Sequence, residues 1–545
     1  MLRKSLLLTL VFLLAMGSFA WASTRPLPND AAPESKQVLR IPMLFEGQYM
    51  DWMKTVYNRA GRPEVVQEPL TVFDKDMNVR PAAAAKWQPS EDGLCWTFTL
   101  RAGIKWSDGQ PLTAEDFVFA LERAIQQGYD FNWYFSWAAE IVNWDQVEAG
   151  ELPFSELGVK ALDARTIEVK TETPKPYLPA VMSWWFPVPK HVVQAHGDEY
   201  ATRAETMVCS GPFMVKEWVK EQHVVYVPNP HYNGPWQPYL REIVELAGTG
   251  NPETGFPAYL AGDLDITGLN PGQLAYAKAR FSEEVVGWPE FQLFYLTFDT
   301  TKPPFDSKLV RQAINHAIDR ELLTNTVLAD MAFPAYTLIM PGFPGYNAGL
   351  KEISRFDIDL ARELLAEAGY PNGKGFPEIE LWLRLEASIM PHQKPAAEFI
   401  QQQLKQNLGI NMKIQIYEMK TFMDAMVNRT HNFFLAPYMV DYVDPSNFMS
   451  LFLSGGRHAW AHNHYDDLVK EANSIIDHEQ RLRLYEEAEA LLLEEAPAVF
   501  IMNMKTNHLW KPHLGGEAVT EDSSGLKRLT AVTNLYFFSN VYITQ

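Results

Sequence analysis

The run Cys95-Trp96-Thr97-Phe98-Thr99-Leu100-Arg101, continuing through Gly103-Ile104-Lys105-Trp106-Ser107-Asp108-Gly109 to Thr113-Ala114-Glu115-Asp116-Phe117, holds both kinds of regular structure within a few turns of chain. From Cys95 to Leu100 large apolar residues alternate with smaller polar ones, the period of a half-buried strand. Thr113, with Asp116 three residues on, reads as a capping box that opens a helix, and Phe117, Ala120, Leu121 and Ala124 give that helix one apolar face.

Outward from this run the mixture persists. Thr166-Ile167-Glu168-Val169, His223 to Val227, Ile379 to Leu383 and Met412 to Ile416 read as strands. Ser307 caps a helix that carries Val310, Ile314, Ala317, Ile318 and Leu322 on one side. Asp357 opens another, stopped at Gly369, and Gln480 to Glu495 is a long amphipathic helix that ends before Pro497. There is no repeat and no low-complexity linker. The pattern predicts an α/β architecture of more than one lobe, with the chain crossing between lobes.

The amino terminus predicts export. Arg3 and Lys4 precede an apolar stretch from Ser5 to Met16, and Ala20-Trp21-Ala22 supplies a small-residue cleavage site before Ser23. No cysteine follows that site, so lipid anchoring is not expected, and no later stretch has the length of a membrane span. Residues 23–37 read as a flexible leader. The chain has 545 residues, 47% hydrophobic and 21% charged, with a net charge of −20. A balance so acidic, with no basic run, argues against nucleic acid or an anionic membrane as partner. Sixteen tryptophans point to large aromatic surfaces, either packed inside or offered to a ligand. Cys95 and Cys209 are either bridged or two free buried thiols.

Catalytic patterns are missing. Gly369 to Gly375 is one residue short of a phosphate loop and has glycine where Ser or Thr would meet magnesium. Asp74 to Asn78 starts like a calcium loop but lacks its glycine and distal glutamate, and reads as a polar hairpin turn. His462 and His464 have no further ligand at metal-binding spacing. Asp466-Asp467 and Glu494-Glu495 read as solvated helix faces. No enzyme activity, metal or cofactor is expected.

Four ordered signatures resemble the extracellular solute-binding proteins of family 5, which serve peptide and nickel importers, and among them the oligopeptide-binding branch. The first runs from Glu68-Pro69-Leu70 and Arg80-Pro81-Ala82 through the quoted stretch to Phe117. The second is Ser210-Gly211-Pro212-Phe213 with Asn229-Pro230-His231-Tyr232, and the third Lys302-Pro303-Pro304-Phe305-Asp306 with Ile318-Asp319-Arg320. The fourth is Lys420 to Asp424 leading to Asp441-Tyr442-Val443-Asp444-Pro445. The resemblance implies a two-lobe periplasmic-binding-protein fold of the large peptide-binding type. Lobe 1 would comprise residues 23–291, with an extra subdomain at about 70–185, and lobe 2 residues 292–505. The tail, 506–545, would return to lobe 1. It implies a monomeric periplasmic protein that captures an oligopeptide between closing lobes and delivers it to an ABC-importer transmembrane permease.

By the same resemblance Asp441 meets the peptide α-amino group, Tyr295 lies near the ligand backbone, and Tyr438 lines the pocket. Tyr442, Tyr134 and Trp137 join them, the last two from an aromatic cluster with Trp133 and Phe135 that faces the cleft. At the positions where short-peptide binders carry cations for the ligand carboxylate, this chain has Leu328, Met426 and Leu435. A carboxylate would lack its usual partners there. A longer peptide, another anchor, or an uncharged oligosaccharide on the tryptophans are the open alternatives.

Overall fold

The computed structural model describes residues 25–55, 58–386 and 390–545; the predicted export signal lies outside them. The quoted stretch forms the strand Cys95–Leu100 and the helix Ala114–Gln127. The predicted capping box is present: Asp116 Oδ2 accepts the Thr113 amide at 2.8 Å, and Gly128 closes the helix in the left-handed region. The strand sits in an antiparallel four-stranded sheet with Ala84–Pro89, Thr166–Lys170 and Val159–Asp163. Its inward residues Trp96, Phe98 and Leu100 join Trp106, Phe117 and Trp185 in one core. A second sheet of four strands shares that core, with Val38–Pro42 parallel to Glu242–Leu246 and then His223–Pro228 and Phe213–Val219 antiparallel.

The other lobe is built on a seven-stranded mixed sheet. Its two longest strands, Val285–Phe298 and Ala498–Trp510, form an antiparallel ribbon whose register shifts between Pro289 and Leu293. Below the shift the ribbon is flanked by Ile266–Gly268; above it by Phe433–Met439. Side chains alternate across this sheet, as a pleat requires. Phe294, Leu296, Phe433 and Leu435 enter one core, under the helices Lys308–His316 and Met390–Leu408, and Leu293, Tyr295, Phe434, Ala436 and Tyr438 enter the other. Asp357 Oδ1 caps its helix through the Leu360 amide at 3.0 Å, and Gly369 follows with φ 93°. The last long helix, His478–Glu495, starts two residues before the sequence reading has it, because Asp477 Oδ1 accepts the Gln480 amide at 2.8 Å.

Two expectations are corrected and one alternative is closed. The leader expected to be flexible is partly ordered: Gln37 Nε2 donates to the Ile543 carbonyl at 2.8 Å, and Ala32 N donates to the same oxygen. Asp466 is not on a solvated face but buried, accepting the Ser454 amide at 3.0 Å. Asp467 and Glu494 are exposed as read, and Glu495 pairs with Lys308 at 2.7 Å at the surface. The two cysteines are free thiols, and burial pushes Cys209 up to about 12. Asp74 to Asn78 is the hairpin turn expected, joining Thr71–Phe73 to Val79–Pro81.

Candidate functional site

The strand Phe433–Met439 delivers the site. Its pleat turns Tyr438 to the face that also carries Tyr295, and the chain then breaks into the loop 440–444. Asp444 ends that loop as N-cap of the short helix Pro445–Met449, accepting the Ser446 amide at 3.0 Å. Buried Arg481, from the long helix, holds the same carboxylate at 2.7 Å. Asp441 is thereby fixed between two anchored points. The Tyr438 hydroxyl lies 2.9 Å from Asp441 Oδ2 and 3.0 Å from Asn447 Oδ1, and the Asp441 amide is 3.4 Å from that Asn447 oxygen. Burial raises the Asp441 pKa; Tyr438, Asn447 and the charge of Arg457 oppose it without reversing it. No lysine, arginine or histidine among the described residues lies within ion-pair distance of Asp441. A half-buried carboxylate so placed has room in its electrostatics for an external cation.

The opposite wall comes from residues packed on the first core. Tyr442 stacks on Tyr177, centroids 5.2 Å apart and planes 8° from parallel, and meets Trp137 at 5.8 Å. Trp133 lies 6.4 Å from Trp137, and both indoles are nearly half exposed. Tyr134, between them in sequence, is buried: its hydroxyl donates to the Val181 carbonyl at 3.1 Å. Burial first, and the Asp441 charge second, push its pKa far up. Tyr295 is also fully buried, with its hydroxyl 3.1 Å from His458 Nε2; His458 Nδ1 is 3.1 Å from Thr297 Oγ1. Burial and Arg457 press the His458 pKa down to about 3, so the ring is neutral.

The structure thus brings Asp441, Tyr438, Tyr442 and Trp137 together, and sets Tyr134 and Tyr295 behind them as buried supports. Arg457, Asn447, Tyr177 and His458 also belong to the neighbourhood, and sequence reasoning missed them. Leu328, Met426 and Leu435 are all buried in the cores. Leu435 points away from Tyr438 because it lies three positions, an odd offset, before it on the pleat. A cleft of about 340 Å³ opens beside the ribbon, lined by residues of both halves that include Arg62, Gly250, Gln292, His392 and Lys505. None of the residues around Asp441 lines it. Asp441 is partly exposed, as are Trp133 and Trp137, so the gap beside them is open to solvent.

The chain is similar to known proteins over most of its length. Residues 78–460 match the family described as "Bacterial extracellular solute-binding proteins, family 5 Middle". The probable deoxycholate-binding periplasmic protein YgiS of Escherichia coli is 32% identical over 93% of this chain and 95% of its own. The periplasmic oligopeptide-binding protein OppA of Salmonella typhimurium is 31% identical over 82% and 83%. The unliganded open form of the murein tripeptide-binding protein MppA superimposes with a TM-score of 0.83 at 27% identity, covering 95% of this chain and 99% of that one. Haemophilus influenzae OppA in complex with RPPGFSPFR gives 0.63 at 26% identity, covering 94% and 100%. The chain belongs to the bacterial extracellular solute-binding proteins of family 5.

Proposed function

We propose that the protein is the periplasmic capture component of an ABC importer: its lobes close over an oligopeptide, whose α-amino group pairs with Asp441, and the closed form meets a transmembrane permease. The observation that carries this reading is Asp441 itself, half-buried, hydrogen-bonded to Tyr438, with no protein cation in ion-pair distance among the described residues, and next in sequence to Tyr442, which meets Trp137. Relatives named as periplasmic oligopeptide-binding proteins support it, and no helix among the described residues is long and apolar enough to cross a membrane. We place the hinge in the ribbon at the register shift near 289–293, with residues 23–291 (subdomain about 70–185) and the tail 506–545 on one side and 292–505 on the other.

A second reading is capture of an amphipathic ring compound. The exposed faces of Trp133 and Trp137 favour it, as does the identity with YgiS; the same faces would stack on an oligosaccharide. One experiment separates them. Calorimetry of the mature protein with tri- to decapeptides, their N-acetylated forms, deoxycholate and maltooligosaccharides should show heat with free-amine peptides. Asp441→Asn should weaken peptide binding roughly tenfold to hundredfold, the worth of a charge-assisted hydrogen bond. Equal affinity of the variant, or of acetylated peptides, overturns the α-amino role.

A further inference from the structure

We propose that Arg457 is an anion-binding residue of the ligand site, which receives a carboxylate of the captured molecule close to the group held by Asp441. Arg457 follows the exposed tip Gly455-Gly456, and its guanidinium lies against Tyr438, 5.7 Å from the ring centroid. Tyr438 is the residue whose hydroxyl meets Asp441. The cation and the carboxylate are thus neighbours of one phenol without pairing with each other. Arg457 Nε is buried and has no hydrogen-bond partner, and Nη2 reaches only the Met423 thioether, at 3.8 Å. Among the described residues no carboxylate lies within ion-pair distance of it.

That is an unusual state for a guanidinium with five donors. Other buried arginines here have a carboxylate partner or are held by several hydrogen bonds, even where, as in Arg528, Nε has no hydrogen-bond partner of its own. Arg320 donates to the Phe500, Asn315 and Ile318 carbonyls, Arg481 pairs with Asp444, and Arg528 pairs with Asp522. Arg59, which also has nitrogens without hydrogen-bond partners, is packed on the faces of Phe45 at 3.9 Å and Trp52 at 4.3 Å. Arg457 has only the more distant Tyr438 ring, at 5.7 Å, and feels the Asp441 charge from beyond ion-pair distance; Tyr295 and neutral His458 bring no negative charge. An external carboxylate would supply what the guanidinium lacks, through the bidentate geometry it is shaped for. Since an extended residue advances about 3.3–3.6 Å, the carboxylate belongs two or three residues from the amine at most. It is the end of a di- or tripeptide or an acidic side chain near the amino terminus. The core residues Leu328, Met426 and Leu435 need not be cationic for such a ligand.

The proposal leans on the peptide reading only for which molecule brings the carboxylate, and the test keeps the two apart. Wild type, Arg457→Gln and Arg457→Lys are each incubated with an equimolar library of dipeptides and tripeptides, half free acids and half C-terminal amides. Retained ligands are counted by native mass spectrometry, deoxycholate is titrated separately, and a thermal melt checks folding. Wild type should enrich free acids roughly tenfold or more over amides. Arg457→Gln should lose that preference while still retaining amides, and Arg457→Lys should restore part of it. Arg457-dependent binding of deoxycholate with no peptide retained would end the peptide reading and keep the anion site. Acid and amide retained alike by wild type, or a preference unchanged in Arg457→Gln, with deoxycholate binding indifferent to the substitution, overturns the anion site.

Discussion

Arg481→Leu should unfold the second lobe more easily by about 3–5 kcal/mol, the cost of stripping one partner from a buried ion pair. The magnitude follows from the surroundings. Arg481 and Asp444 side chains are 3% and 8% exposed, with Nη2 and Oδ1 2.7 Å apart. Arg481 also donates to the Ala472 carbonyl at 3.3 Å. With leucine in its place Asp444 keeps only the Ser446 amide, and a desolvated carboxylate remains. Asp444→Asn leaves the guanidinium equally stranded. The double variant removes both charges, so its loss should be smaller than the sum of the singles by about 2 kcal/mol or more, a coupling of the size contacting residues show. Urea unfolding of the wild type, the two singles and the double at pH 7 measures the cycle, with hydrogen exchange of the amides of His478–Glu495 reporting on the lobe itself. Because Asp444 anchors the loop that carries Asp441, peptide affinity should fall in both singles. Additivity within about 0.5 kcal/mol would refute the pair as the anchor of that loop.

Glu489 is fully buried, accepts the Ile339 amide at 2.8 Å, and is pushed by burial up to about 8. Its folded pKa exceeds the unfolded value of about 4.3, so the folded state binds the extra proton, and stability falls as pH rises from 4.3 to 8; at pH 7 this costs up to about 3–4 kcal/mol. Glu489→Gln should flatten the urea midpoint between pH 5 and pH 8 and raise it at pH 8; an unchanged slope would show that the carboxyl does not titrate in that window. Leu435→Arg, which would restore a cation at a position where short-peptide binders have one, should destabilise by about 4 kcal/mol or more without tightening peptide binding, since the residue points into the core beneath the sheet. A stable variant with higher affinity for free-acid peptides, by melting and calorimetry, would contradict that orientation.

Local signals reported the fold well because each had a local physical cause. Thr113 with Asp116, Asp357 with its helix, and the alternation from Cys95 to Leu100 depend on neighbours a few residues away, and all appear as read. Where partners were distant, the reading failed. Gln37 lies in the stretch that reads as a loose leader; beside the local Ala32 carbonyl it is held by both polar backbone atoms of Ile543, at the far end of the chain. Asp466 looked solvated on helical spacing, yet the loop residue Ser454 folds over it.

The site shows the same division. Tyr438, Asp441 and Tyr442 lie within one short run, so one motif could reveal them together, and the structure gathers them around a hydroxyl and a stacked ring. Tyr134 and Trp137 share a motif too, but only the three-dimensional helix says that Trp137 is offered to the gap while Tyr134 is spent on the Val181 carbonyl. The cation was sought at three positions defined by analogy, and the pleat and the core turn all three inward. Arg457 escaped notice because its only mark is a deficiency: a guanidinium against Tyr438 with no anion of its own. A missing partner leaves no pattern in a sequence. It becomes visible only when every neighbour has been placed, and a charge left over beside an opposite charge that is also left over defines a space with two poles. The polarity of that space, more than the identity of any one residue lining it, limits what this protein can hold.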